Sequence, residues 1–173
     1  MKRKAFGILA IAFLAALPLA AAPSAAEIEK FNTVSDRVAT GGQPTAPQIA
    51  SLAREGFHAI VSLREPSEYD AAAEEAAAKQ NKLIYVNIPV KSTDPRPEQV
   101  DAFLAALANP RVYPVFIHCA SGNRVAAFWM IRRVLVEKWD VEDAEREAKL
   151  GGLKSPAMKE FALDYIRAHP AAR

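Results

Sequence analysis

The segment Tyr113-Pro-Val-Phe-Ile-His-Cys-Ala-Ser-Gly-Asn-Arg124 decides how this chain folds. Its first half, Tyr113 to His118, is a short apolar run rich in β-branched and aromatic residues, which predicts a buried strand. From Asn123 to Lys138, apolar residues recur at close to helical intervals and predict a helix. The four residues from Cys119 to Gly122 therefore form a strand-to-helix turn.

The rest of the chain shows the same alternation of short apolar runs with longer helical patterns. His58–Leu63 and Lys82–Val90 have the length and the β-branched content of strands, and Arg37–Gln43 is a strand-like piece that ends in a Gly-Gly turn. Helices are predicted over Pro47–Glu55, Ser67–Gln80, Glu98–Ala108, Val141–Leu150 and Pro156–His169. Strands that alternate with helices indicate an α/β fold whose central, mostly parallel sheet is flanked by helices.

The N-terminus has the order of a secretory signal peptide. Met1–Lys4 is basic, Ala5–Ala22 is an apolar run, and small residues follow. Ser24 and Ala26 suit positions −3 and −1 of a cleavage site, so cleavage is predicted after Ala26, within about two residues either way. The alternative is a membrane anchor, because the apolar run just reaches the length of a transmembrane helix. We expect cleavage and a soluble protein that is periplasmic or secreted.

Composition limits what the mature chain can be. Without residues 1–26 there remain 147 of the 173 residues, which is the length of a single domain with a real core. The formal net charge of +2 falls to −1 once the three basic residues near the N-terminus are lost, so a nucleic-acid partner is not expected. The three histidines are far apart in sequence, and neither a metal site nor another cofactor is expected.

Cys119 is the only cysteine, so it cannot form an intramolecular disulfide, and a lone thiol in an exported chain is a candidate for chemistry or for intermolecular pairing. At a strand-to-helix turn, backbone amides and the helix dipole converge on one point, where they favour an anion and the thiolate form of a cysteine. Arg124 can hold two oxygens of that anion. The residues predicted to line the substrate site are His118, Ala120, Ser121, Gly122 and Asn123. The alternative is an inert buried cysteine at a strand end.

The motif His118-Cys119-x-x-Gly122-x-Arg124 resembles the signature loop of tyrosine and dual-specificity phosphatases. The similarity extends over most of the mature chain, through Gly41-Gly-Gln-Pro44, Ile60-Val-Ser-Leu-Arg64 and Val86-Asn-Ile-Pro-Val90. It looks in particular like a bacterial phosphatase-like domain family whose members are fused to, or named after, β-lactamase-like hydrolases. The resemblance implies a phosphoric monoester hydrolase in which Cys119 attacks phosphorus and forms a thiophosphoryl intermediate.

Two departures from the phosphatase pattern keep other functions open. Phosphatases of this type have five residues between the cysteine and the arginine, whereas this chain has four, and Val125 stands where a serine or threonine usually helps the thiolate to leave. A four-residue spacing is the one seen in rhodanese-type sulfurtransferases, in which the cysteine would carry a persulfide. A third possibility is an anion-binding module without turnover.

A phosphatase cycle also needs a general acid that protonates the leaving oxygen. Asp94 is the candidate, because it lies in the loop before a predicted helix, where the resembled family carries its acid; Asp101 is held in reserve. The alternative for Asp94 is a turn residue chosen for local hydrogen bonding. The acidic stretch Glu68–Glu75 is predicted to be a solvated helix face, and Tyr69 and Tyr85 are predicted to be packing residues.

Overall fold

A five-stranded sheet forms the centre of the molecule, in a computed structural model that describes residues 23–170. Its strands are β1 (Asn32–Ser35), β2 (Val38–Gly41), β3 (Ala59–Ser62), β4 (Ile84–Asn87) and β5 (Val115–His118), in the spatial order β1-β2-β5-β3-β4. Only the β1–β2 pair is antiparallel within these described residues, so the predicted mostly parallel sheet is confirmed. β1 was not predicted, because its sequence Asn-Thr-Val-Ser has no apolar alternation.

Six helices surround the sheet in the described part of the chain. They are α1 (Ala46–Arg54), α2 (Ala71–Gln80), α3 (Pro97–Ala108), α4 (Asn123–Leu135), α5 (Val141–Leu150) and α6 (Pro156–Ala168). The prediction of one helix over Ser67–Gln80 was wrong at its start. Pro66–Glu68 forms a separate 3-10 turn, and the Asp70 side chain caps α2 by accepting from the amide of Ala73 at 2.9 Å.

The helices lie in two layers, each with its own core. Ile60 and Phe116 belong to the core shared with α1 and α2, whereas Val61 and Ile117 belong to the core shared with α3 to α6. Successive side chains of a strand point to opposite faces of the sheet, so neighbouring residues at the end of β5 belong to different layers. His118 has the parity of Phe116, and Cys119 belongs to the core of the α4 layer.

The N-terminal end of the described chain packs against α1. Ala25–Glu27 forms a short 3-10 turn, in which Ala25 is fully buried and its amide donates to Glu55 Oε1 at 3.0 Å. The predicted cleavage position after Ala26 falls inside this packed turn, whereas the apolar run of the predicted signal peptide lies outside the described residues. Within residues 23–170, no helix has the length and apolar character needed to cross a bilayer.

Candidate active site

The carboxyl ends of the parallel strands bring the candidate residues together. Gly41 at the end of β2 and Ser62 at the end of β3 are both in register with His118 of β5. In open α/β sheets, ligands bind in the crevice at this edge. The segments that follow β2, β3 and β5 therefore meet around Cys119, which lies in the turn between β5 and α4.

The Cys119 loop, residues 118–124, is fixed by close backbone contacts. Gly122 has φ +87°, and a Cβ atom built there would lie 2.8 Å from the carbonyl oxygen of Gly151. On another side, a Cβ at Gly42 would lie 3.0 Å from the carbonyl oxygen of Ala120. Position 122 therefore needs glycine, for its backbone conformation as well as for space, whereas Gly42 leaves little room for a side chain.

Side chains from distant segments also hold the Cys119 loop. Lys30 Nζ donates to the carbonyl oxygen of Ser121 at 3.0 Å. Asn123 Oδ1 accepts from the amides of Lys154 at 2.8 Å and Ser155 at 3.1 Å. The Asn123 side chain thus joins the loop to the start of α6. The group of Asn123 that remains for an anion is its backbone N–H, because the first N–H groups of a helix have no acceptor within the helix.

Arg124 is held in one orientation from two directions. Its Nη1 donates to Glu68 Oε1 at 2.5 Å and to the carbonyl oxygen of Val90 at 2.7 Å, and its Nη2 donates to Glu68 Oε2 at 2.7 Å. A guanidinium has five N–H donors in one plane. The Nε–H and the second Nη2–H therefore remain, side by side on one edge, which is the edge that can hold two oxygens of an anion.

The contact between Glu68 and Arg124 favours the charged form of both side chains. The hydrogen bond from Arg124 lowers the pKa of Glu68 to about 2, although partial burial acts in the opposite direction. Burial acts to lower the pKa of Arg124, but the hydrogen bond with Glu68 and the interaction with the adjacent Cys119 outweigh it and raise that pKa. Arg124 is 5% exposed and Cys119 is 1% exposed, so a cation lies beside a buried sulfur.

Behind Cys119, His118 contacts a second acid. His118 Nε2 and Glu74 Oε1 are 2.7 Å apart, and their side chains are 0% and 3% exposed. The contact does not meet the geometry of a hydrogen bond, and neither atom has a hydrogen-bond partner among the described residues. His118 Nδ1 lies 3.4 Å from the carbonyl oxygen of Cys119. A buried polar pair thus supports the backbone of the candidate nucleophile.

Tyrosines continue this polar cluster away from Cys119. Tyr85 donates to Glu74 Oε2 at 3.4 Å, and the hydroxyls of Tyr85 and Tyr69 are 2.7 Å apart. Burial, followed by the hydrogen bond with Tyr69, raises the pKa of Tyr85. The prediction that both tyrosines only pack was therefore wrong, because their hydroxyl groups are part of the network.

The prediction of a solvated face over Glu68–Glu75 was wrong for two acids. Glu68 binds Arg124 from the 3-10 turn, and Glu74 is buried against His118, whereas Glu75 stays on the surface in a pair with Lys79. One signal was available for Glu74, since it lies four residues before the apolar Ala78 and shares its helix face. No local pattern distinguished Glu68.

The two candidate acids occupy different surroundings. Asp94 is exposed in a turn, and its carboxylate accepts from Arg96 Nη2 at 2.9 Å. The same loop begins at Val90, whose carbonyl binds Arg124, but no hydrogen bond between described residues joins Asp94 to Cys119 or Arg124. Asp101 accepts from the Tyr165 hydroxyl and so is tied to α6.

Comparison with known proteins places this architecture in a family. A sequence model of the DSP-PTPase phosphatase fused to NAD+ kinase matches residues 21–160. A β-lactamase hydrolase-like protein of Xylella fastidiosa (strain Temecula1 / ATCC 700964) is 30% identical over 120 residues, which are 67% of this chain and 28% of the relative. The chain therefore corresponds to about 28% of the length of that curated relative.

Solved structures agree on the fold. A putative phosphatase of Shewanella putrefaciens CN-32 superposes with a TM-score of 0.74 at 22% identity, over 83% of this chain and 95% of that one. TpbA of P. aeruginosa in complex with phosphotyrosine superposes with a TM-score of 0.64 at 24% identity, over 82% of this chain and 85% of that one. The cysteine-phosphatase-like α/β architecture is thereby confirmed.

Proposed function

The chain belongs to this DSP-PTPase phosphatase family, and we propose that it hydrolyses phosphate monoesters with Cys119 as nucleophile and Arg124 as the anion clamp. One observation carries the proposal: Glu68 and Val90 use three of the five N–H donors of Arg124 and leave two adjacent ones beside Cys119. Two adjacent donors match two oxygens of a phosphoryl group. The amides at the start of α4 supply further donors at a positive helix end.

The proposed cycle has two displacements. In the first, the Cys119 thiolate attacks phosphorus, an S–P bond forms, and the P–O bond to the leaving group breaks while the carboxyl group of Asp94 gives its proton to the leaving oxygen. In the second, water attacks phosphorus and gives a proton to Asp94, the S–P bond breaks, and inorganic phosphate leaves. Arg124 stays charged throughout and holds the equatorial oxygens.

The proposed substrates are phosphorylated side chains, as in tyrosine and dual-specificity phosphatases. The complex of TpbA with phosphotyrosine makes this the first substrate to try. The backbone amides of Ala120, Ser121, Gly122 and Asn123, with His118 behind them, form the proposed lining of the site. No substrate contact is assigned to the Asn123 side chain, which is occupied by the amides at the start of α6.

A parallel assay of the wild type and Cys119→Ser tests this function. With p-nitrophenyl phosphate and a phosphotyrosine peptide, we expect phosphate release from the wild type and a loss of at least ~10³-fold in Cys119→Ser. Thiosulfate and cyanide are assayed alongside. A persulfide on Cys119 that passes to cyanide, with no phosphate released from any ester, would identify the sulfurtransferase instead. Anion binding without either product would identify a non-catalytic module.

The role of Asp94 is tested with Asp94→Asn and, as its matched control, Asp101→Asn on the following helix. We expect kcat to fall about 10²-fold in Asp94→Asn with an alkyl phosphate, whose leaving group needs a proton, and much less with p-nitrophenyl phosphate. Asp101→Asn should remain near wild type with both esters. Equal losses for the two esters in Asp94→Asn would exclude Asp94 as the proton donor.

We also propose that the chain is exported and processed near Glu27. Within the predicted range, cleavage after Ser24 would keep Ala25 in the core and place its new ammonium group 3.0 Å from Glu55 Oε1, whereas cleavage after Ala26 would remove this buried residue. We therefore favour an N-terminus at Ala25. Intact-mass measurement of protein from the periplasm or medium tests this, and a mass that still includes Met1 would exclude processing.

A further inference from the structure

The buried contact between His118 and Glu74 is not used by the proposed cycle. The two side chains are 0% and 3% exposed and their nearest atoms are 2.7 Å apart, yet neither of those atoms forms a hydrogen bond within the described residues. A buried carboxylate without a hydrogen-bonding or charged partner is costly. Opposite charges on two buried groups this close together would offset that cost.

Within residues 23–170, neither member of this pair forms a second salt bridge. On the sheet side, the His118 ring stacks on Phe116 with centroids 5.8 Å apart. On the α2 side, the other oxygen of Glu74 accepts from the neutral Tyr85 hydroxyl, whose burial and hydrogen bond with Tyr69 raise its pKa. On the side of the Cys119 loop, His118 Nδ1 lies 3.4 Å from the carbonyl oxygen of Cys119.

We propose that Glu74 is a positioning residue for the thiol: it pairs with a protonated His118 and keeps that charge behind Cys119. Both ring nitrogens of an imidazolium are donors, so one can face Glu74 while the other faces the Cys119 carbonyl. The positive member of this pair is the one next to Cys119 in sequence, and it favours the thiolate. This inference rests on the proposed role of Cys119 as nucleophile.

Alkylation of Cys119 tests the proposal without any substrate. The variants are Glu74→Gln, which keeps the shape and removes the charge, and Glu75→Gln, which removes the neighbouring surface acid of the same helix. We expect Glu74→Gln to alkylate with iodoacetamide about tenfold more slowly than the wild type near pH 6 and at a similar rate near pH 9, where the thiolate dominates in both. Glu75→Gln should match the wild type at both pH values.

A purely structural role for Glu74 gives a different result. Loosened packing would change the alkylation rate by the same factor at both pH values, and that outcome, or no change at either, would overturn the proposal. Glu74→Asp, which keeps the charge on a shorter side chain, should recover part of the rate near pH 6. A wild-type thiol that reacts no faster than free cysteine near pH 6 would also overturn it.

Imidazole NMR gives a test that leaves Glu74 and His118 unchanged. The chain has three histidines, so the ring signals can be assigned by substitution of His58 and His169. The His118 ring of the wild type should show the imidazolium signature near pH 7, and a neutral ring there would refute the proposal. Phosphatase assays stay separate: normal Cys119 reactivity without phosphate release would reject the proposed function and leave the Glu74–His118 pair standing.

Discussion

The Cys119 loop and the segment from Arg64 to Glu74, which we call the support segment, contribute to one site in opposite ways. The Cys119 loop carries the thiol, the guanidinium and the glycine that permits its turn, all within seven residues. The support segment carries no motif, yet Glu68 orients Arg124 from 56 residues away and Glu74 faces His118. Reactive groups are local in sequence here, whereas the groups that orient them are not.

The two acids of the support segment also differ from each other in depth. The Glu68 side chain is 27% exposed and makes a two-point contact with Arg124, whereas Glu74 is 3% exposed and touches His118 at one point. Water can therefore replace part of the contact that Glu68 makes with Arg124, but it cannot reach the buried contact between Glu74 and His118. Mutations in the Cys119 loop should remove groups that react with or bind the substrate, whereas mutations in the support segment should disturb only the orientation of those groups.

The largest effect is expected in the Cys119 loop, from Arg124→Ala. Loss of both free N–H donors should lower kcat/KM by about 10³-fold. Arg124→Lys should recover little, because an ammonium cannot hold Glu68 and two phosphoryl oxygens in one plane. Steady-state kinetics with p-nitrophenyl phosphate measure both, with Arg132→Lys on the same helix as the control. Full activity in Arg124→Lys would show that the two adjacent N–H donors of the guanidinium are not needed.

A smaller effect is expected in the support segment, from Glu68→Gln. An amide can accept from only one side of Arg124, so the guanidinium should turn, and kcat/KM should fall by about 10²-fold. Glu75→Gln changes the net charge equally and should leave kcat/KM within about twofold, because its pair with Lys79 is exposed. Similar values for the two variants would show that Glu68 has no special role.

The glycine of the Cys119 loop gives a test of stability. Gly122 and Gly56 both have positive φ, +87° and +89°, but a Cβ at Gly56 meets nothing within 4 Å, whereas a Cβ at Gly122 meets a backbone oxygen at 2.8 Å. Gly56→Ala should cost about 1 kcal/mol from backbone strain alone. Gly122→Ala should cost at least about 1 kcal/mol more. Denaturant unfolding measures the difference, and equal losses would mean that the Gly151 contact relaxes freely.

The smallest effect concerns the pH dependence of the Glu68–Arg124 pair. The folded-state pKa of Glu68, about 2, lies below the ordinary 4.5, so the pair contributes its full stabilisation above about pH 4.5 and loses it as the pH falls towards 2. The free energy of unfolding of the wild type should exceed that of Glu68→Gln by a constant amount from pH 7 to about pH 5. The gap should then shrink on further acidification. A gap that widens below pH 4.5 would contradict the depressed pKa.

Sequence alone could predict the parts of the site that are contiguous. The strand, the turn and the helix around Cys119 follow from short-range patterns, and Gly122 marks the one position of that turn with positive φ. The placement of Arg124 beside the thiol follows from the same spacing. A thiol, a helix N-terminus and an arginine within six residues leave few geometries available.

The rest of the site depends on contacts between distant segments. The alanine-rich stretch after Ser67 has strong helix propensity, and the early break arises because Asp70 caps α2 and leaves Glu68 in a separate turn. Glu74 is buried because α2 lies on the face of the sheet to which His118 points. The cap is a local contact, whereas the pairing of Glu74 with His118 joins segments 44 residues apart and is not encoded within a short window of the sequence.

The two contacts behind the Cys119 loop determine how its length can evolve. Gly122 lies against the Gly151 carbonyl, and Asn123 Oδ1 receives the amides of Lys154 and Ser155. One more residue between Cys119 and Arg124 would displace both contacts, so a loop of five residues could not arise by a single insertion without a compensating change in the turn between α5 and α6. Loop length and that turn should therefore be inherited together among relatives of this chain.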